Sequence, residues 1–84
     1  MQEKKQLMIN MSIMKIIDLS LKRETENYKF FYIQYTVWYQ PNKIKQRHGF
    51  VIKSSSDCHW SDTGRRLSAR LEIAVLAELE SKEQ

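Results

Sequence analysis

The sequence predicts an α+β fold, in which a three-stranded antiparallel β-meander is followed by one C-terminal α-helix packed on one sheet face. Three observations predict it: apolar residues alternate with polar ones near the N-terminus, aromatic and β-branched residues concentrate in the middle, and apolar residues recur at helical spacing near the C-terminus. The chain has 84 residues, so it is predicted to form a single small domain over positions 1–84.

The first strand is predicted over residues 8–23. Every second residue between positions 9 and 21 is apolar, with Lys15 as the one exception. A period of two is typical of a strand with one buried face. The polar stretch 24–27 predicts a turn. Residues 1–7 precede this pattern and are expected to be frayed.

The second and third strands are predicted over residues 28–40 and 43–54, joined by a turn at Pro41 and Asn42. If these two residues form the whole turn, Gln40 faces Lys43. Apolar side chains then share the face toward the helix, and rings share the other face with cations. A longer loop is the alternative, because Pro-Asn is not a favoured two-residue hairpin turn.

The helix is predicted over residues 61–81, with Ser61 as its N-cap and Asp62 in the first turn. Its core-facing positions are Leu67, Leu71, Ala74, Val75 and Leu79. A second apolar stripe points elsewhere and predicts a two-fold contact between copies of the chain. This stripe consists of Ala69, Ile73 and Leu76.

Charge and aromatic residues are concentrated in the middle of the chain. Residues 27–56 contain no Asp or Glu, although the whole chain carries a formal net charge of only +4. Nucleic acids are bound by cations that contact phosphates and by rings on which bases stack. The predicted binding face of the sheet comprises Phe30, Tyr32, Trp38, Lys45, Arg47 and Lys53. The alternative is that these rings are buried under the N-terminal segment or a second copy.

Two further cations, Arg65 and Arg66, are predicted to lie in the first turns of the helix. There they would hold a phosphate or carboxylate, since helix N-termini attract anions. The alternative is a solvated first turn in which these side chains pair with Asp62 or Glu72.

No catalytic site, metal site or cofactor is predicted. Cys58, His48 and His59 provide three candidate ligands, whereas a structural zinc site needs four in paired spacing. The pairing above places His48 on the inner face, as a core histidine. No phosphate-binding glycine loop or hydrolase motif is present.

Two features bear on location. The chain has a single cysteine, so no intrachain disulfide forms, which indicates a reducing compartment and predicts a cytoplasmic protein. No apolar stretch approaches the roughly 18 residues of a membrane-spanning helix, so no membrane association is expected.

These observations predict a small non-enzymatic binding or regulatory module that contacts nucleic acid or another anionic surface. The alternative is an accessory or inhibitor protein of the type that phages and other mobile elements encode. Such a protein would bind a host protein with an acidic surface, with homodimer formation as a further alternative, because rings and arginines also dominate protein interfaces.

Overall fold

The computed structural model describes residues 13–39 and 43–82, which form one antiparallel sheet and one α-helix. The sheet has four strands in sequential order: β1 (Ile13–Glu24), β2 (Lys29–Tyr39), β3 (Lys43–Lys53) and β4 (Cys58–Trp60). The helix α1 (Ala69–Lys82) packs on one face of the sheet, called here the helix-side face. The opposite face is called the open face. The predicted α+β fold is confirmed, with β4 as an additional short strand. The segment 1–7 and the start of the predicted first strand, 8–12, lie outside the described residues.

The core lies between α1 and the helix-side face. Alternate side chains of the central strand β2 point into it, as the strand period requires: Phe31, Ile33, Tyr35 and Val37. The other buried core residues are Leu19, Val51, Cys58, Leu67, Leu71 and Val75. Each large aliphatic side chain contributes about 1.5–3 kcal/mol when fully buried. This burial holds the helix and the sheet in a fixed relation.

Two bulges adjust the face that β1 presents to the core. Its register against β2 shifts between Ile16 and Asp18, and again between Leu21 and Arg23. Before the first bulge, Lys15 pairs with Thr36 and lies on the open face. The predicted single apolar face is therefore wrong at this end of β1. The physical reason is the extra residue, which reverses which positions face the core and places the charged Lys15 in solvent.

The register between β2 and β3 differs by one residue from the prediction. Tyr39 pairs with Lys43, and Phe31 pairs with Val51 rather than Ile52. The pairing therefore leaves three residues, 40–42, between the last paired positions, one more than predicted. The predicted turn residues, Pro41 and Asn42, lie outside the described residues.

The predicted start of the helix at residue 61 is wrong. The chain first forms β4 and then turns, with the amide of Gly64 donating to the carbonyl of Trp60 at 2.8 Å. The helix begins only at Ala69. Ser68 caps it, since its hydroxyl accepts from the amide of Leu71 at 3.4 Å. Ser61 and Asp62 resemble a cap in sequence, but they belong to the turn after β4.

Candidate binding surfaces

The observed register separates the predicted rings from the predicted cations. The three rings all lie on the open face: Phe30, Tyr32 and Trp38. The three predicted cations of β3 all lie on the helix-side face: Lys45, Arg47 and Lys53. Their predicted arrangement on one face is therefore corrected. Successive side chains of a strand point to opposite faces, so the one-residue shift moves every β3 side chain across the sheet.

The open face carries two separate groups of apolar and aromatic side chains, called here together the open aromatic surface. Phe30, Tyr32 and Phe50 lie toward one end, Trp38 and Ile44 lie toward the other, and Gln34, Thr36, Gln46 and His48 lie between them. The Phe30 and Phe50 rings stack, with centroids 5.2 Å apart, and Tyr32 meets Phe50 edge-on at 5.5 Å. Trp38 is 45% exposed and Ile44 is 66% exposed. The guanidinium carbon of Arg23 lies over the Phe30 ring, 5.3 Å from its centroid.

The helix-side face of β3 carries a row of cations, called here the basic strip: Lys43, Lys45 and Arg47. These residues pair with Tyr39, Val37 and Tyr35 of β2, and all three strip residues are exposed. None of the ion pairs among the described residues involves them. Alternate strand residues are about 6.8 Å apart, so the strip presents regularly spaced positive charges.

Lys53 lies apart from the basic strip, at the far end of β3. It is half-buried, and its amino group donates to the carbonyl of Ser54 at 3.1 Å. It lines a cleft of about 600 Å³ together with Glu80 and Lys29. Opposite charges mix there, and Lys29 lies 4.0 Å from Glu24. This cleft is therefore a weaker candidate for an anion site than the basic strip.

A concave site of about 540 Å³, called here the Trp60 cleft, lies at the Arg47 end of the basic strip. The Trp60 ring covers Gly49 so closely that a Cβ there would lie 2.9 Å from a ring carbon. Tyr35 lies beside it, with ring centroids 6.3 Å apart and the planes inclined by 27°. Arg47 and Arg65 also line the cleft. Rings and cations therefore meet on the helix-side face, with rings different from the predicted ones.

Arg65 and Arg66 precede the helix instead of forming its first turn. The backbone of Arg66 forms an isolated antiparallel β-bridge with His59 of β4. The Arg66 guanidinium donates to both carboxylate oxygens of Glu72, at 3.2 and 3.3 Å. This hydrogen bond and the charge of Glu72 raise the pKa of Arg66. The pairing of Arg66 with Glu72, the alternative to an anion clamp, is the arrangement observed. Arg65 is exposed, and no ion pair among the described residues includes it.

The predicted contact stripe on the helix is exposed in the single chain. Ala69 is exposed, Ile73 is 67% exposed and Leu76 is 40% exposed. Leu71 and Val75 form the buried side of the helix instead. The stripe points away from the core, as predicted. Its role as a contact between copies stays a prediction.

The three candidate reactive residues, Cys58, His59 and His48, lie in different environments. Cys58 is fully buried, and burial, followed by the charge of Glu72, raises the pKa of its thiol. His59 Nδ1 lies 3.2 Å from an Asp57 carboxylate oxygen. His48 is exposed on the open face, so its predicted place in the core is wrong for the same register reason. Among the described residues, no group of three or more metal-binding side chains occurs.

Three residues of the helix-side surface were missed by the sequence analysis: Lys43, Tyr35 and Trp60. Trp60 follows a short polar loop and belongs to a strand of only three residues, too short to show a period. The signal that could have found it is the pair Gly49 and Trp60, since a glycine inside a strand indicates the close approach of another group.

Comparison of the chain with protein-family models, curated proteins and solved structures finds no match. No helix among residues 13–39 and 43–82 has the length and apolar character needed to cross a membrane.

Proposed function

We propose that this protein is a small, non-enzymatic regulatory module that binds nucleic acid through the basic strip and Arg65. The observation that carries the proposal is the row of exposed cations at successive helix-side positions of β3. An acidic side chain paired with each cation would neutralise such a row. The ion pairs among the described residues do not include these cations, so their charge is available to a ligand. The proposed location is the cytoplasm, supported by the single cysteine of the sequence.

The spacing and number of the cations favour a polymeric anion over a small one. A polyphosphate backbone presents repeated negative charges, so one strand can contact Lys43, Lys45 and Arg47 together. Each neutralised phosphate releases a condensed counterion, which supplies most of the free energy of such binding. Extended single strands suit the strip best, because the neighbouring Trp60 cleft admits a base that is not paired.

The salt dependence of binding tests this proposal. A fluorescently labelled single-stranded oligonucleotide is titrated with the protein, and anisotropy gives the dissociation constant at several salt concentrations. Four contacting cations predict a slope of log K against log salt of about −3. Affinity then falls roughly 50-fold between 50 and 200 mM salt. Binding that does not change with salt, or no binding at low salt, contradicts the proposal.

A pair of matched variants locates the contact. Lys45→Gln with Arg47→Gln removes two charges from the basic strip, and the magnitude of the slope is expected to fall by about 1.4. Lys15→Gln with Lys22→Gln removes the same charge from exposed positions of β1. This control is expected to leave the slope nearly unchanged. Equal losses in the two variants would show that only net charge matters.

A second candidate function is the binding of another protein at the open aromatic surface. Trp38 and Ile44 are exposed at one end of this surface and Phe50 is exposed at the other, and exposed apolar patches mark protein contacts. Arg23 lies over Phe30 of this surface and the chain is positively charged, so an acidic host protein suits this face better than a second copy. This candidate predicts an accessory or inhibitor protein whose complex survives nuclease and is lost in Trp38→Glu. Sedimentation as a dimer would favour the homodimer instead.

A further inference from the structure

The Trp60 cleft has a floor of backbone and a wall of aromatic rings. The Trp60 ring lies directly over Gly49, where a side chain would collide with it at 2.9 Å. Tyr35 is buried beside the indole. Trp60 itself is only half-buried, so part of the indole faces the cleft. Gly49 and Tyr35 restrict the position of the indole, so the part of the ring that lines the cleft is preorganised, because little side-chain freedom remains to be lost on binding.

The rim of this cleft is positively charged. Arg47 approaches it from β3 and Arg65 from the turn after β4. Arg66 also lines the cleft, but Glu72 neutralises it. Asp62 is the one acidic residue in the described lining. Two cations without ion-pair partners therefore flank an aromatic wall, in a cleft of a size typical of small-ligand sites.

We infer that the Trp60 cleft holds one nucleotide of a bound single strand, with its base stacked on the Trp60 indole and its flanking phosphates on Arg47 and Arg65. This inference rests on the proposed function and adds to it the class of nucleic acid and the place where a base is contacted. The basic strip alone contacts only phosphates, so it cannot distinguish a strand with bases from one without. The cleft provides that distinction, and it excludes a fully paired duplex.

Two labelled strands of equal length and charge test the inference. One carries its bases, and the other is abasic, with the phosphates and sugars retained. Trp38→Phe makes Trp60 the only tryptophan, since the chain has two. Trp60 fluorescence and the anisotropy of each strand are then measured in one titration. The expected result is a Trp60 signal change with the base-containing strand alone, and weaker binding of the abasic strand by roughly 5- to 150-fold.

The outcomes separate the two claims. Equal affinity for both strands, or a Trp60 signal that stays constant at saturation, overturns the inference. If that binding still depends on salt, the proposed function is retained. Binding of neither strand overturns both claims. Preferential binding of an acidic protein or a duplex would also overturn the inference.

A substitution provides an independent readout. Trp60→Leu removes the stacking surface and is expected to weaken binding of the base-containing strand alone, by a factor comparable to the abasic effect. Trp60→Phe is the matched variant, because it keeps a ring, and it is expected to retain most of the affinity. Circular dichroism checks that each variant folds. If Trp60→Leu does not fold, the affinities of Trp60→Phe for the base-containing and abasic strands still test the inference.

Discussion

At the scale of single residues, Gly49 and Trp60 show how a missing side chain forms a site. Gly49 lies in the middle of β3, where glycine weakens a strand unless something approaches its backbone. Here the approaching group is the Trp60 ring, at 2.9 Å from the position of a Cβ. The pair joins β4 to β3 over the helix-side face and fixes the wall of the Trp60 cleft.

Gly49→Ala is therefore expected to lower the free energy of unfolding by about 1–3 kcal/mol, the usual cost of overpacking. Urea denaturation measures this. In a Trp60→Leu background the ring is absent, so the same substitution is expected to cost little or to stabilise, since alanine loses less backbone entropy than glycine. An equal cost in both backgrounds would show that the ring is not the cause.

Cys58 is a core residue, and its titration affects stability at alkaline pH. Burial raises its pKa in the folded chain, so the folded state keeps the thiol protonated while the unfolded state ionises. This contribution to stability is complete below the ordinary thiol pKa, about 8.5, and is lost as the pH rises through the folded pKa. Denaturation midpoints are expected to fall above about pH 8.5, and to fall less in Cys58→Ala.

The same burial predicts low reactivity of the Cys58 thiol. Alkylation of the native protein near neutral pH is expected to require unfolding, so its rate should be proportional to the small population of unfolded protein. Rapid labelling of the native protein in the absence of denaturant would contradict the buried position.

At the scale of elements, the strands were easier to predict than their pairing. The period of two and the run of β-branched and aromatic residues located β2 and β3, and identified the core side of β2. Register depends on the residues of one turn, and periodicity carries no information about the length of that turn. A shift of one residue in the pairing of β2 with β3 decides whether Lys45 and Arg47 share a face with Trp38.

The helix shows a second limit of sequence reasoning. Leu71 and Val75 were correctly placed on its buried side. Its start was misplaced because Ser61 and Asp62 resemble a cap locally. The residues after them are held instead by long-range contacts, such as the amide of Leu67 donating to the carbonyl of Cys58 at 3.0 Å. No local pattern reveals a three-residue strand such as β4 that forms through such contacts.

The position of the cap makes a direct prediction. Ser68→Ala removes the hydroxyl that accepts from the Leu71 amide and is expected to destabilise the protein by about 1 kcal/mol. Ser61→Ala is the matched control at the predicted cap, and it is expected to change stability by less than about 0.5 kcal/mol. Thermal or urea denaturation of the two variants distinguishes them. A larger loss in Ser61→Ala would support a helix that begins eight residues earlier.

At the scale of the whole molecule, the sheet sorts the acid-free middle of the chain into two chemically different faces. Three of the predicted binding residues now lie together on the helix-side face: Lys45, Arg47 and Arg65. The predicted rings lie behind them on the open face, and Trp60 and Tyr35 take the corresponding place in the cleft. Composition could indicate that rings and cations are abundant, but only the pairing of the strands decides which of them meet.

The ion pair between Glu72 and Arg66 beside the Trp60 cleft leads us to expect tighter binding when it is removed. Glu72→Gln keeps the shape of the side chain but no longer neutralises Arg66, which it contacts at 3.2 Å. The magnitude of the salt slope for single-stranded nucleic acid is expected to rise by about 0.7, with higher affinity at low salt. Glu80→Gln makes the same change in net charge elsewhere on the helix and is expected to have little effect. Equal gains in both would contradict a local role for the cleft.

The two tryptophans report on the two faces of the sheet, so one spectrum tests the central claim. In a ¹H–¹⁵N correlation spectrum, the indole N–H signals of Trp38 and Trp60 are followed during titration with a single-stranded oligonucleotide, with Trp38→Phe used to assign them. Binding at the basic strip predicts that the Trp60 signal shifts and the Trp38 signal does not. A shift of Trp38 with Trp60 unchanged at saturation would place the contact on the open face and contradict the account.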